Sequence, residues 1–472
     1  MTNQGCDIGL IGLGTMGRNF VLNMADHGFA VAAYNRTAEK TRDFMDHEVG
    51  ARPIQAGYDL EEFVGLVRRP RALILLVAAG DPVDAVIREL LPLLSPGDLI
   101  IDGGNSHFTD TNRRGRFLSG KKLNFMGMGI SGGEAGARYG PSLMPGGSRE
   151  TYDRVAPILE AAAAHVNGDP CVTYLGPGSA GHYVKMVHNG IEYGLMELIV
   201  ETYDLLKRGL GLTPAELARL YDRWNQAELN SFLLEITAKI FSRQDDQTGK
   251  PLIDLILDKA KQKGTGMWTS WDAMDLQVGT PTIDVAVVMR DMSGYKEERQ
   301  AAAQVLAGPP PAFPGDREGF IGQVKNALYA GMIATYAQGM ALLQKASATY
   351  AYGLDLEAVA RIWRGGCIIR AALLEDIRAA YKARADLPNL LMDPRLGQEF
   401  LKRQADLREV VKMAATLGLP APGFMATLSY FDAYRSAVLP ANLIQAQRDC
   451  FGAHTYERLD APGTFHTEWE EV

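Results

Sequence analysis

Cysteine is scarce in this chain: four in 472 residues, at Cys6, Cys171, Cys367 and Cys450. They form no CxxC pair and no dense pattern, which argues against a disulfide framework or a zinc knuckle and points to free thiols in a reducing compartment. Long apolar runs are missing too, so no segment reads as a membrane span. The N-terminus, MTNQGCDIGLIGLG, has no basic stretch before its apolar one, so no signal peptide is expected and the expected location is cytoplasmic. There is no basic tract, and the net charge is −8, which argues against a nucleic-acid partner. The eight histidines form no HExxH and no clustered ligand set, so no metal site is expected. What remains is an ordinary soluble composition, 47% hydrophobic and 22% charged, in a chain long enough for two or three domains.

The first recognisable unit is residues 7–37, DIGLIGLGTMGRNFVLNMADHGFAVAAYNRT. A short strand runs into Gly12-Leu13-Gly14-Thr15-Met16-Gly17, a helical pattern follows, and a second strand closes at Tyr34. This is GxGxxG between a strand and a helix, the context that makes it a dinucleotide signal. The first Gly allows the tight turn, the second lets backbone approach a pyrophosphate, and the third lets helix pack on strand. The second strand ends in Asn35-Arg36-Thr37. An NAD site usually has a carboxylate there; an Arg and a hydroxyl instead suit a 2′-phosphate, so NADP is the expected cofactor.

Further strands are expected within 72–80, 98–106, 123–133 and 171–176, alternating with helices as in a doubly wound parallel sheet. Ligands bind outside the carboxyl ends of such strands. That places Val77, Ala78 and Ala79 near a cofactor, and Asn105, Ser131, Gly132 and Gly133 near cofactor or substrate. Turn chemistry alone also accounts for Gly, Asn and Ser in these loops.

After residue 178 helical periodicity takes over, and the chain repeats itself. VKMVHNGIEYG at 184 matches VKNALYAGMIA at 324, GLTPAELARLYDRW at 211 matches GLDLEAVARIW at 353, LLEI at 233 matches LLEDI at 373, and GTPTI at 279 lies opposite GLPAP at 418. The reading is a duplicated helical unit. The first copy carries Lys185, His188, Asn189, Glu192 and Tyr193 on one helical face. The second copy keeps Lys325 but has Leu328, Tyr329, Met332 and Ile333 at the other positions. The helix therefore does not need that polar stripe in order to pack, which favours a site. Gly190 and Gly194 in the same helix signal close approach by a backbone or a ligand. Lys263, in the Gly-punctuated QKGTG loop, Arg290, Arg448 and His454 are candidates for an anion pocket with Tyr193; taken singly, each also reads as solvated surface. After about Pro440 the helical pattern fades into what reads as a tail.

Taken together, GLGTMG, NRT, IDGGNS, GISGGEAGARYGPSLMPGG, VKMVHNGIEYG, QKGTG, YAQG and RDCFGAHTYER resemble the 6-phosphogluconate dehydrogenase family over nearly the whole chain. The resemblance implies an α/β Rossmann domain (1–178), a large duplicated all-helical domain (179–436) and a C-terminal tail (437–472) that reaches the partner subunit of a homodimer. It implies NADP-dependent oxidative decarboxylation of 6-phosphogluconate, a phosphorylated sugar acid, to ribulose 5-phosphate. Lys185 would be the general base and Glu192 the general acid. Asn105, Ser131, Gly132, Gly133, His188 and Asn189 would contact the sugar acid; Tyr193, Lys263, Arg290, Arg448 and His454 would hold its phosphate end, the last two from the other subunit. The chain departs from the family at Ala78 and Met267, where relatives often carry Lys. Two rivals share parts of the pattern: another β-hydroxyacid dehydrogenase, and a non-catalytic NADP-binding sensor.

Overall fold

A computed structural model describes residues 5–309 and 313–469. Two compact units divide at Thr427 and Leu428. The first opens with a seven-stranded sheet: β1 (Ile8–Ile11), β2 (Val31–Tyr34), β3 (Ile54–Ala56), β4 (Ala72–Leu75), β5 (Leu99–Asp102), β6 (Asn124–Ser131) and β7 (Ser142–Pro145). The spatial order is β3-β2-β1-β4-β5-β6-β7. The first six strands run parallel, with Ile8 opposite Val31 and Gly9 opposite Leu73, while β7 runs antiparallel to β6 with Ser142 opposite Ser131. The strands β1, β4 and β5 are buried along their whole length, as a sheet covered on both faces requires. One face packs under Phe20, Val21 and Met24 of the Thr15–Asp26 helix and Val155 and Leu159 of the Arg149–Ala162 helix. The other packs under Phe63, Val83, Ile87 and Leu118.

Three local expectations are corrected. Residues 171–176 form no strand; they touch the free edge of β7 through an isolated bridge, Val172 to Leu143, with Leu143 N donating to the Cys171 carbonyl and Leu175 N to the Pro145 carbonyl. The strands β3 and β7 carried no clear alternation and were not expected. Helix also persists past Pro440, over Ala441–Gly452.

The expected long helix is present as Ala180–Asp204, running on into a π-turn at Leu205–Gly209. Its sequence counterpart is Arg317–Thr349. Helices follow each at matching positions: Pro214–Asn225 and Phe232–Ser242 after the first, Leu356–Ile362 and Leu373–Ala383 after the second. The two long helices touch through glycines, since a Cβ at Gly194 would lie 2.7 Å from Thr335 and one at Gly339 2.4 Å from Ile191. The first also rests on the sheet, where a Cβ at Gly181 would lie 2.2 Å from the Met144 carbonyl. That seating carries its polar stripe to the carboxyl edge of β6.

The second unit is small. The Ala441–Gly452 helix is tied to a ribbon, Tyr456–Glu457 paired with Thr464–Phe465, through fully buried Asp449. That carboxylate accepts from the backbone of Thr455 and Thr467, from Trp469 Nε1 and from His466 Nδ1.

Candidate active site

The turn after β1 is a cradle of backbone. A Cβ at Gly12 (φ +108°) would lie 2.3 Å from the Leu76 carbonyl, and one at Gly17 would lie 1.8 Å from the Gly12 carbonyl. Both positions are therefore closed to any side chain. Gly14, by contrast, has open space where its Cβ would be, and it starts the Thr15–Asp26 helix without a side-chain cap or an acidic first turn. Uncapped N–H groups at an open helix start suit an anion. Leu13 and Met16 point elsewhere: Leu13 is buried and Met16 packs on the sheet's core. Asn35 spends its side-chain oxygen on Leu13 N at 3.1 Å and its amide on the Thr37 carbonyl, so it shapes the turn. Arg36 and Thr37 are exposed, and among the described residues the Arg36 side chain makes no ion pair and the Thr37 hydroxyl no cap. Lys40, which sequence reasoning missed, lines the same cleft of about 390 Å³ as Gly14, Thr15 and Glu134; its signal was a cation four residues after Arg36. The residues present thus fit a dinucleotide with a 2′-phosphate.

The loops at the ends of β4 and β5 close on this turn. Val77 lies 3.4 Å from the Gly12 Cβ position, and its carbonyl lies 3.3 Å from that of Gly104. Ala78 and Ala79 are exposed at the rim, as is Asn105. Buried Arg114 ties the two loops: its guanidinium donates to both Asp84 oxygens, to the Gly80 carbonyl and to Ser106 Oγ, and it pairs with Asp102 at 3.4 Å.

The polar stripe of the Ala180–Asp204 helix is buried, with Lys185 6%, His188 0% and Asn189 9% exposed. Lys185 Nζ donates to Asn189 Oδ1 at 2.7 Å, and His188 Nδ1 meets the same oxygen at 3.0 Å. Asn189 Nδ2 donates to Thr265 Oγ1 at 3.0 Å, which fixes the amide with its oxygen toward Lys185. His188 then carries its proton on Nδ1, leaving Nε2 to accept from Ser131 Oγ at 3.3 Å. Glu192 lies one turn on, 3.9 Å from His188 Nδ1. Burial is the largest cause of each shift here. It lowers Lys185 against the opposing pull of Glu192, lowers His188 well below its usual range with help from Lys185, and raises Glu192 against Lys185 and Arg290. The second copy's Lys325 instead sits in a partly exposed ion pair with Glu228.

Neighbouring segments hold this stripe. A Cβ at Gly129 would lie 2.3 Å from Lys185 Cβ, so the Gly in β6 is the seat of that side chain. A Cβ at Gly132 (φ +121°) would lie 2.5 Å from the Gly366 carbonyl, so the Ser131-Gly132-Gly133 turn rests on a loop of the second copy, whose Trp363 meets the His188 ring edge-on. Gly190 and Gly194 admit the Thr269 and Thr335 side chains, not a ligand.

At the other end of the stripe Tyr193 is buried beneath Arg290, whose guanidinium sits 3.4 Å from the ring centroid. Gly266 leaves room for that ring, and Met267 packs with Tyr193, Ala286 and Val287. Lys263 is exposed, two residues before Thr265. One helix start thus carries both an anion candidate and the residue that orients Asn189. Arg448 and His454 belong to the second unit, where both are exposed.

Comparison with known proteins agrees over the whole chain. A model described as the NAD binding domain of 6-phosphogluconate dehydrogenase matches residues 7–176, and one described as the C-terminal domain of 6-phosphogluconate dehydrogenase matches residues 181–469. A relative from Synechococcus elongatus, 6-phosphogluconate dehydrogenase, decarboxylating, is 56% identical over 98% of both chains. One from Bacillus subtilis, described as NADP(+)-dependent and decarboxylating, is 50% identical over 98% of both. The solved 6-phosphogluconate dehydrogenase of Plasmodium falciparum, described in its apo form, with its cofactor NADP+ and with its substrate 6-phosphogluconate, superposes with a TM-score of 0.94 at 44% identity, covering 98% of this chain and 100% of that one.

Proposed function

This chain belongs to the 6-phosphogluconate dehydrogenase family, and from that premise we propose that Lys185 and Glu192 are the base and acid of an NADP-dependent oxidative decarboxylation of 6-phosphogluconate. The observation that carries the assignment is the buried stripe: a lysine with no carboxylate at contact distance among the described residues, held by Asn189, with a carboxyl group two turns along the same helix.

NADP+, bound at the Gly12–Gly17 turn with Arg36, Thr37 and Lys40 toward its 2′-phosphate, supplies the hydride acceptor. Burial favours the neutral amine of Lys185, which takes the proton of the substrate 3-hydroxyl as C3 is oxidised. The resulting 3-keto group is β to the carboxylate. Lys185, now an ammonium beside Asn189 Oδ1, stabilises the oxyanion that develops as CO2 leaves. Glu192, which burial keeps protonated to higher pH, delivers the proton to C1 and ribulose 5-phosphate results. The two groups lie roughly 10 Å apart along the axis, so they address different carbons of one substrate. Ser131, Gly132, Gly133, Asn105, His188 and Asn189 hold the sugar acid, while Tyr193, Lys263 and Arg290 hold its phosphate.

The same proposal includes a cytoplasmic homodimer in which residues 437–472 reach the other copy. Arg448 of the partner subunit and His454 of the partner subunit then complete the phosphate end. The small unit supports this reading with apolar side chains left in water: Val438 is 84% exposed, Leu443 62% and Phe451 74%. Lys185→Met tests the central assignment. It should abolish turnover while leaving NADP+ affinity unchanged; turnover at the parent's rate would overturn it.

A further inference from the structure

Asp272 is a buried carboxylate, 6% exposed, that the reaction does not use. Among the described residues it forms no ion pair within 4.0 Å. Its partners are two phenols: Tyr183 donates to Oδ2, and Tyr350 donates to Oδ1 at 2.8 Å. A buried anion held by neutral donors alone asks for an explanation.

Its position supplies one. The Thr265–Asp275 helix lies along the Lys185 helix and touches it in register. Thr265 Oγ1 receives Asn189 Nδ2, Thr269 Oγ1 donates to the Met186 carbonyl at 2.8 Å, and Asp272 receives Tyr183, two residues before Lys185. These contacts step along one face of each helix. The start of the helix carries the Lys263 loop. Its middle carries Trp268, whose ring meets His107 edge-on at 4.8 Å, two residues after Asn105. Phe108, next in the chain, packs edge-on against Tyr183 at 5.1 Å and at a tilt against Tyr350 at 5.5 Å. Three segments that bear the proposed site, the Asn105 loop, the Lys185 helix and the Lys263 loop, therefore meet around one carboxylate. Burial and the Asp272 charge both push Tyr183 and Tyr350 up, so the phenols stay donors.

We infer that Asp272 is a positioning residue for the reaction, setting the register between the Lys185 helix and the helix whose start carries Lys263 at the phosphate end and Thr265 against Asn189. The inference rests on the site assigned above. Tyr183 is the Asp272 partner on the Lys185 helix, and Tyr350, just past the Arg317–Thr349 helix, holds the other carboxylate oxygen and so fixes the direction of the first. Loss of the carboxylate, or of the Tyr350 donor that aims it, loosens the hold on Tyr183 and lets the second helix slide along the first, which moves Lys263 and the Thr265 hydroxyl relative to Lys185 while the dinucleotide turn, held by Gly12, Gly17 and Asn35, stays in place.

Asp272→Asn and Tyr350→Phe test it in the full-length enzyme, by steady-state kinetics with 6-phosphogluconate, by NADP+ titration and by thermal melting. Each variant should lower kcat/KM for 6-phosphogluconate by at least about tenfold, given what a small misplacement costs, with NADP+ affinity within about twofold of the parent. The double variant should be no worse than Asp272→Asn alone, because both act through one carboxylate. A lowered melting temperature with kcat and KM unchanged in Tyr350→Phe would overturn the inference, as would additive losses in the double variant. Absence of 6-phosphogluconate turnover in the parent enzyme would instead count against the functional reading.

Discussion

Replacing Arg114 with Met should destabilise the nucleotide-binding part through two carboxylates. The Arg114 side chain is 1% exposed, and that of its partner Asp102 is 0%. Without the guanidinium, Asp102 keeps, among the described residues, Ser106 Oγ at 2.6 Å and the Gly104 N–H at 3.1 Å, while Asp84 keeps Arg113. Breaking a buried pair from one side costs about 3–5 kcal/mol, against a total stability of about 5–15 kcal/mol. Asp84 retains its second arginine, so the lower end, about 3 kcal/mol, is expected. Arg114→Lys keeps a charge but not the fork that reaches Asp84, Gly80 and Ser106 together, and should cost about 2 kcal/mol. Urea unfolding at neutral pH, followed by far-ultraviolet circular dichroism because all five tryptophans lie beyond residue 178, measures both. The pH dependence adds a second check. Arg114 first, then Arg113, holds Asp84 well below the usual carboxylate range. A carboxylate with a depressed folded-state pKa contributes fully above its unfolded value, about 3.9, and loses that contribution as pH falls through the folded-state value. The gap between parent and Arg114→Met should therefore narrow as the solution is acidified below about pH 4. A neutral-pH loss under about 1 kcal/mol, or a gap that widens in acid, would refute the reasoning.

Arg36→Glu should weaken NADP+ at least about tenfold while sparing NAD+, since it places a carboxylate against the 2′-phosphate; nucleotide titration reads the ratio. kcat/KM should be bell-shaped in pH, lost in acid as Lys185 is protonated and lost in base as Glu192 ionises, with the lysine limb displaced downward and the glutamate limb upward from their ordinary positions by burial. Glu192→Gln should cut kcat by about a hundredfold or more, the contribution of one positioned acid, and remove the basic limb.

Legibility in the sequence followed the range of the interactions. The Gly12–Gly17 turn and the Lys185–Tyr193 stripe are local, and the period of a helix is enough to put Lys185, His188, Asn189 and Glu192 on one face. The duplication helped, because its second copy packs the same helix with Leu328, Met332 and Ile333 where the first has His188, Glu192 and Tyr193. What sequence could not show is which distant segment meets each group. Thr265 orients Asn189 from 76 residues away, and Gly366 braces Gly132 across a still longer separation. Asn35 read as a cofactor ligand because of its place after β2, yet its amide is committed to Leu13 and Thr37. Gly190 and Gly194 correctly signalled close approach, but the neighbours are threonines. The edge strand β7 was hidden because SLMP has no alternation to read, and 171–176 misled because an apolar run that meets β7 through a single bridge looks like one more strand.

The most direct test of the central claim is the yield of NADPH and CO2 from 6-phosphogluconate and NADP+, measured in one vessel. The account predicts the two products in equal amounts. NADPH without CO2 would contradict it in favour of a non-decarboxylating hydroxyacid dehydrogenase, and neither product despite tight NADP+ binding would make the chain a nucleotide-binding protein without this chemistry.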